Sequence, residues 1–242
     1  MNAIEIKGLT KRYRDVLAVD NLSLDIGEGE LFSLLGVNGA GKTTTIKMLS
    51  CLTEPTDGDA YLLGKSICRD TAAVKSLIAV SPQETAVASG LSVHENLALM
   101  CGVHGFSKEK RKERIDETIE LLGLERVISR RAGKLSGGWQ RRLSIAMALI
   151  SEPKILFLDE PTLGLDVIAR SELWDMIRTL KGKVTVILTT HYMEEAETLS
   201  DRIGIMRDGK LLICDTAQGI KETVGAESFE QAFVRIVKEG AK

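Results

Sequence analysis

An apolar, strand-like run, E-L-F-S-L-L, leads directly into G-V-N-G-A-G-K-T at Gly36 to Thr43 and then into the helix-like run T-T-T-I-K-M-L-S. The loop fits G-x-x-x-x-G-K-[ST], a spacing in which backbone N–H groups converge on a phosphate. Glycine is required where the chain must curl around an anion that would collide with a Cβ. The following helix adds a partly positive N-terminus. Gly36, Asn38, Gly39, Ala40, Gly41, Lys42, Thr43 and Thr44 are therefore the candidate triphosphate-binding residues. Lys42 would lie along the β- and γ-phosphates, and the Thr43 hydroxyl would be a magnesium ligand. A chance glycine-rich turn is the competing reading, and the order strand, loop, helix counts against it.

The bulk properties narrow the class. A chain of 242 residues holds one large domain, or one domain with a sizeable insertion. With 44% hydrophobic residues, 27% charged residues and a net charge of -2, it has an ordinary globular composition and no electrostatic pull toward nucleic acid. The cysteines, Cys51, Cys68, Cys101 and Cys214, are scattered with no C-x-x-C pair, so they read as reduced, mostly core thiols of a cytosolic protein. No stretch approaches the ~20 apolar residues of a membrane span, and the charged start M-N-A-I-E-I-K-G is not a signal peptide. Any work at a membrane would require a partner that crosses it.

Along the chain, the first thirty-five residues read as strands of an antiparallel layer: I-E-I-K, A-V-D-N-L-S-L-D-I and, after a G-E-G turn, the buried run into the phosphate loop. From Ser92 to about Ile150 the apolar residues recur at helical spacing. Ser92 and Glu95 form a capping box, and Ile115, Ile119 and Leu122 make a stripe in the next helix. The basic run Lys108 to Arg114 reads as a solvated helix face. Strands return at K-I-L-F-L-D and V-T-V-I-L-T-T, separated by the helical S-E-L-W-D-M-I-R-T-L, a βα alternation that predicts a parallel sheet. Asp208-Gly209 suits a type I′ hairpin turn. The expected organisation is a single α/β domain with a mainly parallel sheet and an N-terminal antiparallel layer. Residues 1–84 and 146–242 make its nucleotide-binding core, and residues 85–145 an inserted helical subdomain.

In open α/β sheets ligands gather at the carboxyl ends of strands. I-L-F-L is followed by Asp159 and Glu160, whose side chains should diverge. Asp159 is expected to hold magnesium, and Glu160 to orient and deprotonate an attacking water. V-T-V-I-L-T-T is followed by His191, an imidazole at the same sheet edge that would touch the γ-phosphate. His94 and His104 lack such a setting. Leu135, Ser136, Gly137 and Gly138 precede a long helical run and form a second anion-suited helix start, for which the plainer reading is Ser136 as a helix cap.

Taken together, G-V-N-G-A-G-K-T, L-S-G-G-W-Q, I-L-F-L-D-E-P and T-T-H, in this order and spacing, resemble the ATP-binding cassette family over essentially the whole chain. The resemblance implies that Tyr13 stacks on adenine, that Gln83 senses magnesium and the attacking water, and that L-G-L-D ending at Asp166 communicates between subunits. From the residues alone, Tyr13 is equally a half-buried strand aromatic and Gln83 a loop amide. The family further implies a head-to-tail homodimer, or a heterodimer with a similar ATPase subunit. In it, the L-S-G-G loop of each subunit faces ATP and Mg2+ held by the other subunit's phosphate loop. Hydrolysis would then drive an integral membrane permease subunit, with the chain peripheral on the cytoplasmic face.

Three positions depart from the family pattern: Trp139 stands where glutamine is usual, Leu163 where a small polar residue is usual, and Val37 where proline is usual. T-H-Y-M-E-E-A-E and E-S-F-E-Q-A-F-V-R-I-V resemble the ATP-binding subunits of drug and polysaccharide exporters. The chain ends soon after His191, which also suggests an exporter rather than an importer with a regulatory domain. The alternative is a soluble cassette ATPase of DNA repair or translation. It would require a coiled-coil insertion between Thr43 and Ser136, or a second cassette, and the sequence has neither. A GTPase would require N-K-x-D, and no asparagine here is followed by lysine.

Overall fold

In the computed structural model, which describes residues 1–239, the chain forms two sheets flanked by helices. The strands are β1 (Asn2–Tyr13), β2 (Val16–Gly27), β3 (Leu31–Gly36), β4 (Asp57–Leu62), β5 (Lys65–Ser66), β6 (Ile78–Ser81), β7 (Ile155–Asp159), β8 (Thr185–Thr190), β9 (Arg202–Arg207) and β10 (Lys210–Asp215). The helices are α1 (Lys42–Leu49), α2 (Thr71–Leu77), α3 (Val93–Val103), α4 (Lys108–Leu122), α5 (Gly137–Leu149), α6 (Val167–Arg178), α7 (Met193–Leu199), α8 (Ala217–Thr223) and α9 (Phe229–Glu239).

One sheet is antiparallel, in the order β2-β1-β4-β5. The other runs β10-β9-β3-β8-β7-β6 and is parallel except for the β9–β10 hairpin. The run that feeds the phosphate loop, β3, belongs to the parallel sheet rather than to the N-terminal layer. It lies between β8 and β9. That central position explains why all six of its residues are buried, as expected of a parallel strand covered on both faces.

Alternation along β7 shows how the layers share the sheet. Leu156 and Leu158 point into a core formed with α3 to α6, whereas Ile155 and Phe157 point into the core shared with the antiparallel sheet and α1. Fully burying a side chain such as Phe157 contributes roughly 1.5–3 kcal/mol. A third cluster, including Leu35, Ile203, Ile205, Phe229 and Phe233, seats α9 against the β9 side of the sheet.

In the helical part, Ile115, Ile119 and Leu122 are buried together, as the stripe predicts. Ser92 and Glu95 make both bonds of the capping box. Arg114 departs from the solvated-face reading of its basic run. Its guanidinium reaches Leu149 O and Ile150 O at the end of α5, satisfying carbonyls that a helix C-terminus leaves open. Helix α5 is continuous across the 145/146 division. The thiols also differ from a mostly core set: Cys101 is buried, Cys51 and Cys214 are half-buried and Cys68 is exposed. Asp208 and Gly209 both have positive φ, 49° and 80°, as a type I′ turn requires.

Candidate active site

The phosphate loop turns through left-handed backbone. Gly41 has φ 102°, and a Cβ there would stand 2.5 Å from Ala18 O, so only glycine fits. Helix α1 opens with Lys42 followed by three successive threonines, which are poor helix formers. It is held by packing, with Thr45, Ile46, Met48 and Leu49 buried, and by the Thr45 hydroxyl donating to Gly41 O at 3.0 Å.

Lys42, only 5% exposed, donates to Gly36 O at 2.7 Å and Val37 O at 3.2 Å. Its Nζ is 3.6 Å from Glu160 Oε1. Burial pulls the ammonium pKa down, while Glu160 and Asp159 oppose that shift. At the end of β7, one strand beyond β8, Asp159 Oδ1 accepts from Thr43 Oγ1 at 3.2 Å and from Thr189 Oγ1 at 2.5 Å.

Glu160 turns away from Asp159 because its own backbone is left-handed, with φ 46°. That conformation is strained for a residue with a Cβ. Two acceptors on the neighbouring strand hold it: Glu160 N–H reaches Thr189 O and Thr189 Oγ1, each at 3.1 Å. The carboxylate meets His191 Nδ1 at 2.6 Å through Oε2. The imidazole thus contacts Glu160, not only the space expected for a γ-phosphate.

Gly39, Lys42, Thr43, Thr44, Gln83, Glu160 and His191, with Asn38, Ala40 and Gly41, line one open cavity of about 750 Å³. Leu163, Asp208 and Val16 to Ala18 complete the wall. Several predicted residues stand apart from it: Gly36, Asp159 and Asp166 are not among its lining residues, and neither are Tyr13 and the L-S-G-G segment. Tyr13, at the end of β1, is 43% exposed with the Lys11 ammonium 5.0 Å from its ring. Its cross-strand neighbour Val16, not Tyr13, lines the cavity. The Leu135 to Gly138 segment is also outside the wall. Ser136 occupies the N-cap position of α5, yet its exposed side chain makes no capping bond, which removes the simple helix-cap reading. By contrast, Asp166 does cap a helix, its Oδ1 accepting from Ala169 N–H at 2.9 Å at the start of α6.

The sequence reading passed over two organising side chains. Arg141, on α5 and 3% exposed, donates to the carbonyls of Asp159 and Pro161, each at 2.8 Å, and to those of Pro82 and Gln83. Burial lowers its pKa to about 10. One guanidinium therefore joins the helix behind L-S-G-G to the Gln83 segment and to the Asp159-Glu160 strand end. Asn96, fully buried on α3, bonds Ala88 N–H and the carbonyls of Ala88, Leu91 and Ser92, which pins the loop beyond Gln83. In the sequence Arg141 looked like one of two adjacent basic residues, and only its burial in the fold distinguishes it.

No group of three or more His, Cys, Asp or Glu among the described residues could by itself hold a metal ion. Magnesium does not need such a cage, because it binds through one or two protein oxygens, substrate phosphates and water. The neighbouring oxygens of Asp159 and Thr43, at the start of α1, fit that mode.

Holding a phosphoanhydride in this loop beside a carboxylate that can take a proton from water is the chemistry of the P-loop ATPases. A family model described as ABC transporter matches residues 19–163. This chain belongs to the ABC transporter family.

It is 40% identical to a daunorubicin/doxorubicin resistance ATP-binding protein, DrrA, of Streptomyces peucetius over 225 residues, covering 93% of this chain and 68% of that protein. Phospholipid-transporting ATPase ABCA3 of Homo sapiens is 41% identical over 227 residues, 92% of this chain. The chain spans only 13% of that relative's length. A solved ATP-binding subunit of an ABC transporter superposes with TM-score 0.84 at 27% identity, covering 97% of this chain and 99% of the other. A dimeric post-hydrolysis cassette bound to ADP and Pi superposes with TM-score 0.76 at 28% identity, covering 88% and 98%.

Proposed function

We propose that this chain is the ATP-hydrolysing motor subunit of an exporter, working at the interface of a head-to-tail dimer and driving cargo through a separate permease. The observation that carries the reading is the junction of Lys42, Glu160 and His191 over the phosphate loop. The loop N–H groups and Lys42 would hold the triphosphate, and Asp159, Thr43 and Gln83 would hold magnesium. When bound, magnesium supplies charge neutralisation to the phosphates. Glu160 would orient the attacking water and receive its proton, while His191 fixes the carboxylate that does so. Tyr13 would meet the base from beside the cavity, and Asp166 would pass the state of one site to the other.

The dimer accounts for Ser136. Its hydroxyl is exposed and uncommitted to its own helix, so it is available to a phosphate held by a second subunit. The helical part, residues 85–145, would carry the motion to the permease and keep the chain on the inner face of the membrane. No helix among the described residues is long and apolar enough to cross it. Drug-resistance and phospholipid-transporting relatives support an amphipathic or hydrophobic cargo.

The test is ATP turnover and oligomeric state, measured on wild type and Glu160→Gln. The wild type should hydrolyse ATP. The variant should bind ATP, lose roughly 10²- to 10⁴-fold in turnover and accumulate as a dimer. A variant that stays monomeric in saturating ATP would count against the shared site.

A further inference from the structure

Behind the reaction centre lies a buried carboxyl group that none of the steps above uses. Glu195, on the first turn of α7, is 0% exposed. Its Oε1 accepts from Thr162 Oγ1 at 2.8 Å and from Trp174 Nε1 at 3.0 Å. Its Oε2 has no hydrogen-bond partner, and neither has the buried Nε of Arg170. Burial pushes the carboxyl above its ordinary range, against the pull of the Thr162 and Trp174 donors and the Arg170 charge. An apolar residue would pack this junction at less cost, so the acid is more than filling.

Three segments converge on Glu195. Thr162 is in the turn two residues past Glu160, α7 starts directly after His191 and Tyr192, and Trp174 is on α6. A second route joins the same elements. The Arg170 guanidinium lies 4.6 Å from the Tyr192 ring, that ring lies 4.1 Å from the His191 ring, and His191 is bonded to Glu160. Glu160 and His191 come from different strands, so their 2.6 Å contact depends on whatever holds the two strand exits in register.

We propose that Glu195 is a positioning residue that ties the turn after Glu160 to the helix after His191, through Thr162. The proposal rests on the hydrolysis reading above. Its physical basis is that catalysis tolerates little displacement: an error of about 1 Å costs on the order of 10²-fold.

Two variants of the full chain separate positioning from plain packing, because each deletes one hydrogen bond to the same Oε1. Thr162→Val cuts the link to the Glu160 turn, and Trp174→Phe cuts the link to α6. ATP affinity, kcat and melting temperature are measured for both. Thr162→Val should lose roughly tenfold or more in kcat with ATP affinity within about twofold of wild type. Trp174→Phe should keep kcat within about twofold while melting at a similarly lowered temperature. Glu195→Gln, which retains an acceptor oxygen, should restore most of the turnover lost in Glu195→Ala.

The proposal is overturned if Thr162→Val turns over like wild type, or if kcat follows melting temperature alike in both variants. A wild type without ATPase activity would instead remove the parent reading. The two failures are therefore distinguishable.

Discussion

His191 Nδ1 lies 2.6 Å from Glu160 Oε2, although the residues leave different strands, β8 and β7. Parallel pairing brings the exits together, since Asp159 is in register with Thr189. The left-handed turn at Glu160 then swings its carboxylate to the imidazole. The same carboxylate faces Lys42, so it is held between a cation on the phosphate loop and a ring on the next strand.

His191→Ala should therefore affect chemistry more than binding. Freeing the carboxylate is expected to lower kcat by about tenfold to a hundredfold, with ATP affinity changed less than about threefold. Steady-state ATPase assays combined with equilibrium nucleotide binding check this split.

Ser136 makes no bond to its own helix and is exposed. Ser136→Arg should consequently leave unfolding free energy within about 0.5 kcal/mol of wild type and preserve ATP binding. Turnover should fall by roughly 10²-fold or more through disruption of the second subunit's site. Undiminished hydrolysis would show that the segment has no part in the reaction.

Arg141→Met keeps much of the side-chain volume but removes the donors to the carbonyls of Pro82, Gln83, Asp159 and Pro161. Leaving a buried acceptor unpaired costs about 1–3 kcal/mol. Relaxation recovers part of the sum, so a net loss of about 3 kcal/mol is expected in urea unfolding. Amide hydrogen exchange should quicken around Gln83 before the rest of the core.

Glu95 has its pKa lowered from 4.5, first by the Ser92 backbone N–H and then by the Ser92 hydroxyl. A depressed acid contributes stability that is complete above the unfolded value and is lost as pH falls through the folded one. Urea midpoints of wild type and Glu95→Gln should differ at neutral pH and converge once the pH has fallen through the lowered, folded-state value. Ser92→Ala, which removes the cap itself, should cost about 1 kcal/mol at pH 7.

Much of the site was legible in the sequence because its parts are local. A phosphate loop, a strand-end acid pair and a strand-end histidine each lie within a few residues of an apolar run, and apolar runs mark strands. The helical stripe of Ile115, Ile119 and Leu122 and the Ser92–Glu95 box were readable for the same reason. Short elements were not. Strand β6 has four residues and β5 two, lengths at which periodicity carries little signal. Tyr13 was assigned by resemblance, and in the structure it lies beside the cavity rather than in its wall.

What the sequence determined by itself was the chemistry on offer: glycines that can curl, a lysine, a hydroxyl, two acids and an imidazole, each at the end of a buried strand. What only the tertiary structure decided was which of these groups meet, and which distant side chains hold them there. Thr189 joins Asp159 to Glu160, Arg141 gathers carbonyls from separate segments, and Glu195 is buried between α7, α6 and the turn after β7. The physical reason is that a side chain's partners across strands and helices depend on sheet order and register. Both are set by packing of the whole core rather than by any one stretch of chain.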